Sequence, residues 1–168
     1  NDDVILVFTH FLKHFYNGGI GLRQICDWCR LLWTYRNKLD IVLLEERVRK
    51  MGVRSEWRSF ASLAVNYLGM PIDSMPLYSP STKWKSKASS ILNILFKTGN
   101  FGHNRDNTYY TKYSFFVRKT ISLNEHVRDF LRQVMIFPIN SIHVFVRLFF
   151  CGINEALIER KNEKYNCC

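Results

Sequence analysis

The chain has 168 residues, of which 47% are hydrophobic and 15% aromatic, so it is long enough for one domain with a buried core and too apolar to be a disordered protein. Its 24 lysines and arginines outnumber 14 aspartates and glutamates, giving a formal charge of +10. This charge favours anionic partners such as nucleotides, nucleic acid or an acidic protein surface, although a merely solvated basic surface explains it as well.

The cysteines and the apolar runs indicate where the protein resides. Five cysteines with no framework spacing indicate reduced thiols, and hence a cytoplasmic protein. The most apolar runs, at 4–12 and 139–153, are interrupted by histidine or arginine. They fall short of the roughly 18 apolar residues that a transmembrane helix needs, so we expect no membrane span.

The first two predicted helices flank a glycine-rich turn. Apolar residues at positions 5, 8, 11, 12 and 15 predict a helix with His10 and His14 on another stripe. Glycines at 18 and 19 end this helix, and a second is predicted over 20–36 with Arg23 and Asp27 on its polar stripe. We assign Cys26, Cys29 and Trp33 to the apolar face of the second helix.

The later elements are also helical. Asp40 is predicted to be the N-cap of a third helix that ends at Met51. Ser122 and Glu125 match a capping box, which predicts that a helix begins or changes direction there. The remaining predicted helices cover 55–68, a segment ending at Lys97, 110–121, 122–136 and 139–157, with a connector at 70–81 and a loop at 98–108. The sequence therefore predicts an all-α fold, a multi-helix bundle of about seven or eight helices, forming a single domain over 1–168.

His10 and His14 are candidate binding residues. Histidines four apart on a helix can place two imidazoles on one metal ion. The glutamate of the H-E-x-x-H zinc motif is missing, however, because Phe11 stands in its place. We therefore expect no metal ligands in this chain. The two imidazoles are expected to be hydrogen-bonded structural groups or, when protonated, ligands of an anion.

Arg23, Asp27 and His103 complete the set of candidates. A helix N-terminus rich in glycine, with an arginine beside it, can bind a phosphate or a carboxylate. The alternative for Arg23 and Asp27 is an ordinary surface ion pair. His103 ends the run Gly99-Asn-Phe-Gly-His103, which is either a second binding loop or a plain helix cap followed by a turn.

Some motifs are absent from the sequence. No Asp-x-Asp pair that could hold magnesium stands anywhere in the chain, so we predict no catalytic residue in it. Neither a zinc-finger spacing nor a basic recognition-helix signature is present.

Three segments of the chain together resemble a known family. They are the run from His10-x-x-x-His14 through Gly18-Gly-Ile-Gly-Leu-Arg23 to Asp27, the pair Leu39-Asp40, and Gly99-Asn-Phe-Gly-His103. The family they resemble is a bacterial family of uncharacterised nucleotidyltransferases in the polymerase-β-like superfamily. Proteins of that family carry a small α/β domain with a Gly-Ser loop and a magnesium-binding Asp-x-Asp pair, followed by a helical portion. This chain resembles the helical portion over most of its length.

The resemblance implies an accessory domain that positions the nucleotide or the acceptor. Since the chain begins with Asn1 instead of Met, we expect it to be the C-terminal part of a longer protein. Its partners would be the N-terminal catalytic domain of that protein and a nucleotide, and the whole enzyme would use Mg²⁺. This segment alone is predicted to be inactive and to hold no cofactor. The alternative is a stand-alone basic helical module that binds nucleic acid or an acidic protein.

Overall fold

The structure, a computed structural model, describes residues 1–17, 19–98 and 115–147. Within these ranges the chain forms helices and no β-strand, which confirms the predicted all-α fold. No helix among them is both long enough and apolar enough to cross a membrane. The helices are α1 (Asp2–Tyr16), α2 (Leu22–Tyr35), α3 (Ile41–Lys50), α4 (Arg54–Tyr67), a short 3-10 helix (Ile72–Ser74), α5 (Thr82–Thr98), α6 (Phe115–Val134) and α7 (138–147).

The helix ends follow from residues that the sequence already marks. Asp40 caps α3 as predicted, because its Oδ1 accepts a hydrogen bond from the backbone N–H of Leu43 at 3.0 Å. Gly52 and Gly69 follow α3 and α4 with φ angles of +69° and +74°, a left-handed conformation that glycine adopts without strain. Pro138 is the first residue of α7, the position in a helix where its missing N–H costs nothing.

Helix α4 is central to the arrangement. It packs along α5 and also contacts α2 and α3, while α1 packs against α2 and contacts α6. The core between these helices is mainly aromatic. The ring centroids of Trp57 and Phe8 lie 4.6 Å apart, and those of Trp57 and Trp28 lie 5.0 Å apart at an angle of 86°. The rings that are almost fully buried there are Phe8, Phe11, Phe15, Trp28, Trp57 and Phe60.

The predicted helix start at Ser122 is wrong. Helix α6 runs without interruption from Phe115 to Val134, so the capping-box pattern lies inside it. The pattern is a signal of only four residues, and a continuing helix already supplies partners for the backbone groups that a cap would satisfy. Part of the predicted 110–121 helix, residues 110–114, lies outside the described residues.

The assignment of Cys26 and Trp33 to the buried face of α2 is also wrong. Cys26 is exposed, and 44% of the Trp33 surface is accessible. The buried stripe of α2 is Ile25, Trp28, Cys29 and Leu32. Cys26 and Trp33 each come one residue after a member of this stripe, and one residue turns a helix by about 100°. They therefore point away from the core.

Candidate functional site

The two histidines of α1 lie next to each other on its surface. His10 is exposed and His14 is partly buried, and their Nε2 atoms are 3.2 Å apart. The ring centroids are 4.7 Å apart and the rings meet at 73°. Without a bound ligand, one imidazole donates an Nε2–H to the other. The hydrogen-bonded arrangement expected from the sequence is therefore compatible with this geometry.

The glycine turn is less open to an anion than its sequence predicts. The N–H of Gly19 donates to the carbonyl oxygen of His14 at 3.0 Å. The N–H of Gly21 donates to Oε1 of Gln24 at 3.4 Å. Gly18 lies outside the described residues. Two of the three glycine N–H groups thus already have partners within the chain, and an anion at this turn would depend mainly on side chains.

Arg23 and Asp27 are both exposed on α2. Neither side chain forms an ion pair or a hydrogen bond with another described residue, so the surface ion pair considered from the sequence is not present among them. Arg23 lies in the first turn of α2, which contains no acidic residue. The positive end of the helix dipole therefore coincides with a cationic side chain, and the local field attracts anions.

The structure brings the candidates together only in part. His10 and His14 are paired on α1, and Arg23 and Asp27 lie on the neighbouring helix α2. No hydrogen bond or ion pair between described side chains links the imidazoles to Arg23 or Asp27. His103 lies outside the described residues.

A surface groove of about 480 Å³ lies between the start of α1 and the end of α3. Its lining includes Ile5, Leu6 and Thr9, together with Arg47 and Asp2, which form an ion pair. None of the candidate binding residues lines this groove.

No cluster of three or more metal-ligand side chains is present in the part of the chain that the structure describes. Mg²⁺ prefers carboxylate and water oxygens in octahedral geometry. The close pair in this region consists of imidazoles, which magnesium does not favour.

A buried polar cluster around Glu56 was missed by sequence reasoning. Glu56 is only 1% exposed, and its Oε1 accepts hydrogen bonds from the Tyr16 hydroxyl at 2.8 Å and from Nδ2 of Asn140 at 2.6 Å. Burial, reinforced by the Glu56 carboxylate, raises the pKa of Tyr16 above its usual value, so this hydroxyl remains protonated. Nearby, Nε2 of Gln133 donates to the carbonyl oxygen of Phe15 at 2.8 Å.

This cluster joins segments that are distant in sequence. Asn140 also donates to the carbonyl oxygen of Gly52 at 3.1 Å, so α7 is held both to α4 and to the turn that precedes it. The sequence contained one sign of this cluster, namely that Glu56, a charged residue, falls on the buried face of α4. The cluster has a structural role, because it attaches the α6–α7 corner to α1 and α4.

A second group missed at first is basic and surrounds Trp84 on α5. We call it the Trp84 patch, and it consists of Arg58, Lys83, Trp84 and Lys87. The charged atoms of Arg58, Lys83 and Lys87 lie 5.8, 4.9 and 5.8 Å from the Trp84 ring centroid. Partial burial, together with the charge of Lys83, lowers the pKa of Lys87. The patch therefore surrounds one indole ring with three cationic side chains.

Comparison with known proteins relates the first part of the chain to one family. The family model described as an uncharacterised nucleotidyltransferase matches residues 1–69, which include α1 to α4. His10, His14, Arg23 and Asp27 fall within this match, whereas Gly99-Asn-Phe-Gly-His103 lies beyond it. The match is therefore shorter than the resemblance drawn from the sequence. Neither the curated proteins nor the solved structures yielded a match.

Proposed function

We propose that this chain is a helical accessory domain of a nucleotidyltransferase, which positions the nucleotide or the acceptor while a catalytic domain of the same protein performs the Mg²⁺-dependent reaction. The observation that carries the proposal is the match of α1 to α4 to a nucleotidyltransferase family. Three of the four described candidate residues within that match are exposed, and His14 is partly buried, so all four side chains reach the surface.

Phosphate binding in this proposal depends on Arg23. Its guanidinium can donate two parallel hydrogen bonds to a phosphate group, and it lies at the positive end of α2 with no acidic residue in the same turn. His10 and His14 provide further donors on the neighbouring helix. The glycine N–H groups contribute less, because those of Gly19 and Gly21 are already used within the chain.

We expect Arg23→Ala to weaken ATP binding by about tenfold, because a charged hydrogen bond to phosphate is worth about 1.5–3 kcal/mol and an exposed site recovers part of that from water. Isothermal titration calorimetry on the full chain measures this directly. Arg49→Ala is the matched control, because Arg49 is also exposed but lies on α3. Equal ATP affinities of the two variants would contradict the role of Arg23, and Mg²⁺-dependent turnover of ATP by the chain alone would contradict the accessory role.

The second candidate function is binding of single-stranded nucleic acid, and the Trp84 patch favours it. A base can stack on an indole while neighbouring cations contact the phosphates on either side of it. This arrangement needs an aromatic ring with cations around it, which the patch provides.

For this second function we expect Trp84→Ala to weaken binding of a short oligothymidylate by about tenfold, since stacking on one base contributes about 1–3 kcal/mol. Lys83→Ala should make the binding constant less dependent on salt concentration, by the contribution of about one phosphate contact. Trp33→Ala is the control, because Trp33 is exposed and carries one cation, Arg36, at 4.4 Å. Fluorescence anisotropy over a series of salt concentrations measures these effects, and equal losses in the two tryptophan variants would exclude a specific role for the patch.

A further inference from the structure

The distance between the two imidazoles of α1 has a second interpretation. Their Nε2 atoms are 3.2 Å apart. Two nitrogens bound to Zn²⁺ at about 2.0–2.1 Å with a tetrahedral angle between them lie roughly 3.3 Å apart. The separation of the two nitrogens therefore fits a shared metal ion as well as a hydrogen bond, with no change of backbone.

The surroundings of the pair allow an ion to enter. His10 is exposed and His14 is partly buried, so the space beside the two nitrogens is accessible. Both residues lie on α1, and the backbone of a helix fixes residues four positions apart, so little entropy is lost when they bind one ion. No third His, Cys, Asp or Glu joins them among the described residues, and the remaining positions on the metal would face solvent.

Contrary to the expectation from the sequence, we infer from this distance that His10 and His14 form a two-imidazole site for a transition-metal dication of the Zn²⁺ class, which leaves open positions on the ion. Imidazole nitrogen suits zinc, cobalt, nickel and copper, whereas magnesium favours oxygen ligands. The further step, that a nucleotide phosphate occupies an open position, rests on the proposed function.

The test is titration of the full chain with Co²⁺, a spectroscopic substitute for Zn²⁺. We expect one equivalent to bind with the absorption of nitrogen and oxygen ligands, and to broaden the ring proton resonances of His10 and His14. His10→Ala and His14→Ala should each weaken binding by about tenfold or more, because the chelate loses one of its two protein ligands. His143→Ala, at an exposed histidine of α7, should leave binding unchanged.

Unchanged Co²⁺ affinity in both α1 variants would overturn the inference, as would an absorption band from thiolate ligation that accounts for all of the bound cobalt. Circular dichroism confirms that each variant is folded, which these surface positions should permit. Repeating the titration with ATP separates the two proposals. Cobalt binding that depends on His10 and His14, without any ATP binding, supports the metal site and contradicts the proposed function. ATP binding without cobalt binding supports the proposed function and contradicts the metal site.

Discussion

Replacing Trp57 with alanine is expected to destabilise the fold by about 3–5 kcal/mol, the cost typical of removing a large aromatic side chain from a core. Trp57 is completely buried and contacts the rings of Phe8 and Trp28. Its indole N–H donates to the carbonyl oxygen of Pro76 at 2.9 Å, so the side chain also holds the connector between α4 and α5. The loss should lower the melting temperature by about 6–20 °C, at about 2–4 °C per kcal/mol for a domain of this size.

Two milder variants separate the contribution of the Trp57 hydrogen bond from the cost of the lost side-chain volume. Trp57→Phe and Trp28→Phe remove the same atoms from two fully buried side chains. The Trp28 indole N–H has no hydrogen-bond partner among the described residues, whereas that of Trp57 has one. We expect Trp57→Phe to cost about 1 kcal/mol more than Trp28→Phe in urea unfolding. A larger cost for Trp28→Phe would contradict this assignment.

Replacing Glu56 with alanine is expected to destabilise the fold by about 2–4 kcal/mol, because one buried and one partly buried donor lose their acceptor. Those donors are the Tyr16 hydroxyl and the Asn140 amide, and they tie α1 and α7 to the start of α4. Tyr16→Phe should cost less, since only one hydrogen bond is lost and the carboxylate keeps Asn140. Urea unfolding, followed by circular dichroism, gives both values.

The control for Glu56 is another glutamate with an equally short contact. Glu45 pairs with Arg54 at 2.7 Å, but both side chains are nearly half exposed, so Glu45→Ala should cost no more than about 0.5 kcal/mol. In a double-mutant cycle, Tyr16→Phe and Glu56→Ala should show a coupling of about 1 kcal/mol. Equal costs for Glu45→Ala and Glu56→Ala, or no coupling with Tyr16, would show that the buried cluster does not hold these helices together.

Local features of the fold could be predicted from the sequence. The sequence pattern gives α2, α3 and α4 to within two residues, and the cap at Asp40 is predictable because capping involves neighbours only three residues away. The same kind of reasoning failed at Ser122, where a local cap pattern lies inside a longer helix. It also failed at Cys26, where a rotation of about 100° decides between the core and the solvent.

The site was predictable only where it is local. The contact between His10 and His14 follows from their spacing on one helix. The Glu56 cluster joins residues 40 and 84 positions apart, and no pattern in the sequence records such a contact. The N–H groups of Gly19 and Gly21 donate to His14 and Gln24. Whether they do so depends on the geometry of the turn, which the residue types alone do not determine.

The most direct test of the nucleotide-positioning role is photochemical crosslinking of the chain with an azido-substituted ATP, followed by mass spectrometry of the labelled peptides. The proposal predicts saturable labelling on the surface formed by α1 and α2, near His14 and Arg23, which unlabelled ATP suppresses. Labelling confined to α5 around Trp84, or labelling that unlabelled ATP does not suppress, would contradict it.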